Sequence, residues 1–209
     1  MSKLEVDAIE PQSGTTLTLG ASGDTVTIPS GATLSGTSLA LAGNIGLGGA
    51  TPTTSGTGIT FPGTQSASTD ANTLDDYEEG TFTATFTSTG ASFSYSFQSG
   101  HYTKIGRSVY CNIIVRAQSS GTTSNQLFIT GFPFTSANTS GNFASVTFGQ
   151  LFEVDYPTSS NFMNGIMEPN DSKIALQTTN DNSSTTILPA SSIDGGVSSG
   201  FILSINYFV

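Results

Sequence analysis

The sequence predicts an all-β chain: an elongated N-terminal β-stem followed by a compact antiparallel β-sandwich or jelly-roll-like C-terminal domain. Three observations carry this reading. Residues 13–63 alternate small polar residues with single aliphatics. Leu17 and Leu19, Val26 and Ile28, Leu39 and Leu41, and Ile45 and Leu47 each sit two residues apart, which is the period of a strand with one buried face. From Phe82 onward aromatic residues take over the same alternation, as in TFTATF and SFSYSF. No segment sustains a helical period.

The elements follow in order. Residues 1–12 form a short head in which LEVDAI alternates apolar and acidic residues and Pro11 ends the strand, because the residue before proline is pushed towards extended geometry. Residues 13–63 are the stem. It contains no Phe, Tyr or Trp before Phe61, so its strands cannot offset a backbone ordering cost of about 1–2 kcal/mol per residue from their own burial. Its aliphatics need partners, and further copies of the same segment around a shared axis would supply them. Residues 64–80 (TQSASTDANTLDDYEEG) lack strand periodicity and read as an acidic hinge or collar, with Thr69 or Asp70 able to cap one helical turn.

Residues 81–209 are the distal domain. TFTATF and SFSYSF read as a hairpin turning at STGAS. HYTKIG, SVYCNIIVRA, NQLFITGFPF, NFASVTFGQLFEV, SKIALQTT and FILSINYFV follow as strands separated by Gly, Ser, Asn and Pro clusters. Strands repeating every ~8–12 residues suit an antiparallel sandwich.

Composition bounds the function. Charged residues are 10% of the chain against about 25% usually. Disorder is one reading of that poverty, but abundant Thr and the 14 Phe, most of them in the second half, argue for packed strands. The net charge of −10, with 5 basic residues, none adjacent to another, argues against nucleic acid as a partner. Nine of the 15 acids fall in residues 1–79 beside a single basic residue, Lys3. That acidic anterior part suits docking on a basic surface, or simply stays solvated. The lone Cys111 excludes an intrachain disulfide. It shares a strand face with Val109, Ile113 and Val115, so its default role is that of a small buried hydrophobe. No run of ~18 apolar residues is present, so no transmembrane helix and no membrane insertion are expected. MSKLEVDAIEP carries no hydrophobic stretch of a secretory signal.

Several phrases together resemble the tail-fibre and virion-fibre proteins of tailed phages, marine and cyanophage types in particular. LDDYEEGTF (74–82), GHYTKIGRSVY (100–110), GFPFTSANTSG (131–141) and the terminal ILSINYF resemble their C-terminal modules. MSKLEVDAIEPQSGTTLTLG is similar to the start of such fibres. The resemblance implies a homotrimer in the virion, made in the host cytoplasm. It implies attachment to other virion proteins (tail, tail tip or capsid) through the N-terminus, where Leu4, Val6 and Ile9 are the apolar candidates. It also implies contact with host surface polysaccharide at the C-terminal end. Tyr156, Asn161 and Phe162 are the candidate ligand-binding residues, because YPTSSNFMNG places aromatics in a turn-rich segment. A capsid decoration or linker fibre without receptor binding is the alternative.

Catalytic chemistry finds little support. His101 is the only histidine, and metal sites normally show several ligands at set spacings, so no metal and no cofactor are expected. Asp75, Asp76, Glu78 and Glu79 are dense enough for Ca²⁺ but lack the EF-hand spacing. No G-x-S-x-G stands after an apolar strand to suggest a nucleophile elbow. Glu153, Asp155, Glu168 and Asp171 flank expected loops and are the acids from which a glycosidase pair would come. Their spacing shows no pair, and a binding protein rather than an enzyme is the reading, with polysaccharide depolymerase as the rival.

Overall fold

The structure, a computed structural model, describes residues 9, 11, 13–16, 21, 25–30, 32–33, 43–52, 55–65, 67–121, 123–155, 157, 162–180, 184–193 and 198–209. The chain divides into two units, residues 1–43 and 44–209. In the first, Leu4, Val6, Leu17, Leu19, Leu39 and Leu41 lie outside the described residues. Val26 and Ile28 are exposed and form no strand. The strand expected at Val26–Ile28 is thus not formed.

The second unit begins with two short strands, β1 (Ile45–Gly46) and β2 (Ile59–Thr60), paired in parallel with Ile45 opposite Ile59. Backbone bonds from Ile45 N–H to the Gly58 carbonyl and from Leu47 N–H to the Thr60 carbonyl, both 2.9 Å, complete the ladder. Parallel strands need a connection of roughly a dozen residues, a length that residues 47–58 supply. This pair is the part of the expected stem that forms strands among the described residues.

Ten further strands follow: β3 (Tyr77–Phe82), β4 (Thr85–Thr87), β5 (Ser92–Ile105), β6 (Ser108–Ser120), β7 (Phe128–Thr130), β8 (Ala144–Phe152), β9 (Phe162–Met167), β10 (Ile174–Thr179), β11 (Thr186–Ile187) and β12 (Ser199–Phe208). A 3-10 turn, Ala190–Ile193, precedes β12. The strands form one antiparallel sheet in the order β3-β5-β6-β12-β8-β9-β10-β7-β4, with β11 beside β10. The all-β class and antiparallel pairing agree with the sequence. The two layers are halves of one curled sheet, because β8 pairs with β12 along most of its length and with β9 at Ala144 and Ser145.

Curling buries one face of the long strands β6, β10 and β12. On β6, Val109, Cys111, Ile113, Val115 and Ala117 point inward, and on the neighbouring β12 so do Phe201, Leu203, Ile205 and Tyr207. Phe86, Leu127, Ile129, Met167, Ile174 and Leu176 meet them from the other half. Each such side chain contributes about 1.5–3 kcal/mol by leaving water. β4, at one end of the sheet, is joined to β5, the strand next to the other end, at Phe86. Its N–H donates to the Tyr95 hydroxyl at 2.7 Å, and that hydroxyl donates to the Phe86 carbonyl at 3.1 Å. Its ring stands edge-on to Phe201, 5.9 Å between centroids.

Three expectations are corrected. TFTATF and SFSYSF do not form a hairpin ladder. β4 pairs with β7, while β5 runs unbroken through SFSYSF and HYTKI and pairs with β6 and β3. Their aromatics meet across the core instead, Phe86 against Phe93 at 5.6 Å, which buries both faces where a side-by-side hairpin would bury one. The collar does not stay irregular to residue 80, because YEEG opens β3. No helical turn forms after Asp70. Its carboxylate accepts the Asn72 N–H at 2.9 Å in a side-chain-closed turn.

Two glycines explain the pairing of β3 with β5. Gly80 lies opposite Tyr102, and Gly100 lies opposite Phe82. A Cβ at either would come within 2.6 Å of the facing ring. Each ring therefore lies flat over a glycine on the other strand. Beside this pair, the Lys104 ammonium is buried against the Asp76 carboxylate and donates to Gln65 Oε1 at 3.2 Å. The Asp76 carbonyl also accepts the Gly106 N–H at 2.9 Å, where φ is +54° in the β5–β6 turn.

Removing one partner of a buried ion pair strands the other. Asp76→Ala is therefore expected to cost about 3–5 kcal/mol in chemical denaturation, and a double Asp76→Leu/Lys104→Met variant to recover most of it. A double variant as unstable as the single one would show that the apolar pair cannot replace the ionic one. Burial also pushes the Cys111 thiol up to about 12. It should resist thiol reagents at pH 8 in the folded protein and react on unfolding, as a timed thiol titration with and without denaturant would read.

Candidate functional site

The strands that bury one face present the other to solvent. On β10, Ile174, Leu176 and Thr178 point inward, so Lys173, Ala175, Gln177 and Thr179 line the outer side. On β9 the inward residues are Met163, Gly165 and Met167, leaving Phe162, Asn164 and Ile166 outside. On β7, Ile129 is buried between Phe128 and Thr130. Register brings these together. Ala175 lies opposite Phe128 on one side and Ile166 on the other, Gln177 opposite Asn164, and Thr179 opposite Phe162.

This face holds a groove of about 250 Å³ whose walls include Gln126, Phe128, Glu168, Asp171, Lys173 and Gln177. Lys173 bridges its aromatic and acidic sides. Its ammonium is 3.2 Å from the Asp171 carboxylate and 5.2 Å from the centre of the Phe128 ring. The loop carrying both acids is fixed by Ser136. That hydroxyl donates to the Glu168 carbonyl at 2.6 Å and accepts the Asp171 N–H at 3.0 Å. Gln126 is fixed through Nε2, which donates to the Leu176 carbonyl at 3.4 Å. The groove therefore combines one apolar ring with amides, two carboxylates and an ammonium on an ordered sheet.

Phe162 is 65% exposed at the start of β9, on this same outer face. Four residues of β10 and two strand spacings separate the Phe128 and Phe162 positions, roughly 16 Å. The outward Gln177 and Asn164 side chains lie between them. Tyr156 and Asn161 lie outside the described residues. Ile9, in the first unit, is exposed. The sequence placed Phe162 in a loop and missed Phe128, Gln126, Lys173 and Gln177. Their signal was the outward half of SKIALQTT and NQLFIT, whose inward half marked the strands.

The other sequence candidates are dispersed. His101 sits on the outer side of β5 with Nε2 3.2 Å from the Ser99 hydroxyl. The acids of the 75–79 cluster each have a separate partner. Asp75 accepts the Ser68 N–H at 2.7 Å, which holds its carboxyl below the usual carboxylate range. Asp76 is paired with Lys104. Glu78 accepts from Tyr102, whose phenol this contact pushes up to about 12. Glu79 accepts from Tyr77. Among the described residues no group of three or more His, Cys, Asp or Glu is placed to hold a metal ion. Of the four acids considered for glycoside hydrolysis, the structure gathers Glu168 and Asp171 in one groove, and Glu153 and Asp155 are not part of it.

A second cavity, about 320 Å³, is walled by Phe61, Pro62, Gln65, Asp76, Lys104 and Phe134. Its polar groups are already committed to one another through Lys104, and Phe134 packs edge-on against Tyr102 at 5.3 Å. It reads as packing around the buried ion pair.

No protein-family model matches the sequence, and no curated protein matches it. Among solved structures, the Dettilon tailspike protein (gp208) is similar, with a TM-score of 0.53 and 19% identity over 63% of this chain. The match spans 24% of that chain, about a quarter of its length. At this identity the likeness is one of fold.

Because Phe128 and Phe162 face outward, Phe128→Ala and Phe162→Ala are each expected to change unfolding free energy by less than about 1 kcal/mol. A core ring would cost about 3–5 kcal/mol, so a denaturation curve separates the two placements.

Proposed function

We propose that this chain is part of a phage tail fibre or tailspike, and that it binds saccharide on the outer face of β7, β10 and β9. The observation that carries the binding reading is the Phe128 groove with its fixed amides and carboxylates. A pyranose has one C–H face, which stacks on an aromatic ring, and a rim of hydroxyls, which amides and carboxylates bond in either direction. Pockets with a few convergent polar groups beside apolar surface are where such ligands bind. The phage assignment rests on the fold likeness to a tailspike together with the fibre-like phrases at residues 74–82, 100–110, 131–141 and 202–208.

In this reading the chain is homotrimeric and attached to the virion through its N-terminal part, so that several weak sites act together. Linked sites raise apparent affinity by about 10²–10⁴ without new contacts. Binding rather than cleavage is the proposed activity, because the groove offers a stacking ring and fixed hydrogen-bonding groups; Glu168 and Asp171, which share it, make hydrolysis the alternative outcome of the test.

The test is binding of the full chain to host surface polysaccharide, by calorimetry or an immobilised glycan panel. Phe128→Ala and Gln177→Ala are each expected to weaken binding at least about ten-fold, or about 1.4 kcal/mol. Full binding by both variants would overturn the site. Release of reducing ends by the wild-type chain would replace binding with hydrolysis.

A further inference from the structure

We infer that the opposite outer face, on β3, β5, β6, β12 and β8, is the surface through which this chain associates with a second copy of itself. The register sets out its rows. Tyr77, Ile105, Ser108 and Phe208 form one. Thr103, Tyr110 and Asn206 lie in the next with Glu79. His101, Asn112 and Ser204 follow. Ile114 then pairs with Ser99 and Ile202, and Arg116 with Phe97 and Gly200. Five of these residues are large, apolar and open to solvent: Tyr77 (42%), Phe97 (51%), Ile105 (51%), Tyr110 (45%) and Phe208 (49%). Ile114 and Ile202 stand between them over a shallow cavity of about 430 Å³ that also includes Phe97 and His101.

Two arguments select a copy of the same chain. The first is area. Five strands ~4.8 Å apart and some nine residues long at ~3.4 Å each make a face of about 24 by 30 Å, on the order of 700 Å². A stable interface takes about 800 Å² per partner, so the face is close to the size that pairing two copies requires, with five large apolar side chains set among polar ones. The second is charge. The chain carries −10 overall, so two copies repel except where they meet on neutral ground. Among the described residues of these rows the charged ones are Glu79, held by Tyr77, and Arg116, whose guanidinium lies 4.0 Å over the Phe152 ring. They cancel. A partner selected by charge complementarity would instead seek the acidic part of the chain.

This inference rests on the oligomeric part of the proposed function and not on saccharide binding. It is tested on the full chain by sedimentation and by cross-linking. Ser204→Cys, in the middle of the face, is expected to give covalent dimers with a short bis-maleimide, while Gln177→Cys on the saccharide face is expected to give none. Buried Cys111 stays silent in both. Ile114→Lys is expected to weaken self-association at least ten-fold while Cys111 remains unreactive, which certifies the fold. A monomeric wild-type chain would overturn the inference and leave the face to a different partner. Association with cross-links from Gln177→Cys in place of Ser204→Cys would also overturn it while leaving the oligomer intact. So would Ile114→Lys associating like wild type.

Discussion

Curling one antiparallel sheet until β4 meets β5 at Phe86 is the constraint on which the rest of this domain depends. The Tyr95 hydroxyl satisfies both the N–H and the carbonyl of Phe86, and the Phe86 ring closes against Phe93 and Phe201. Without that closure, the inward rows of β6 and β12 would face water. A strand has two faces, and closure disposes of only one. Every outward row must therefore be polar enough to stay wet or apolar enough to find a partner. Both outer faces mix the two: Phe162 stands beside Asn164 and Gln177 on the β9–β10 side, and Phe97, Ile105 and Phe208 stand among Thr103, Asn112 and Asn206 on the β5–β6–β12 side.

Much of the fold was legible because inward rows obey a simple rule. Val109, Cys111, Ile113 and Val115 alternate so regularly with other residues that β6 could be read directly, and SKIALQTT and FILSINYFV gave β10 and β12 in the same way. Failures arose where pairing was decided at long range. TFTATF and SFSYSF look like neighbours on the chain, but burial favours placing them across the core. YEEG looked like an acidic hinge because its strand character comes from Tyr102 lying over Gly80, a partner twenty-two residues away. β9 was hidden because FMNG contains a single strong apolar pair and a glycine.

The candidate site was less legible than the fold. Its residues are the outward members of strands whose inward members gave the signal, so Phe128 and Gln177 are marked only by which side they take. Phe162 was singled out for the wrong local reason, a loop, yet it stands on the same face as the groove. The phrases that resemble phage fibres have mainly structural roles here. Gly80, Gly100, Tyr102 and Lys104 hold β3 to β5, and Phe132 packs against Phe82 at 5.5 Å and Tyr207 at 6.1 Å. A resemblance carried by such residues speaks to how the domain is built more than to what it grips.

The contact of Lys104 with Asp76 and Gln65 also bears on load. β3 is an edge strand that begins at Tyr77, immediately after Asp76, and tension arriving along the preceding chain would tend to peel it from β5 one ladder bond at a time. Gln65 and Asp76 both reach Lys104 before any of those bonds is stressed. Lys104 is itself held between β3 and β6, opposite Glu78 and Val109. A pull is thus passed to β5, one strand in from the edge, and the ion pair behaves as a rivet at the point where peeling would start.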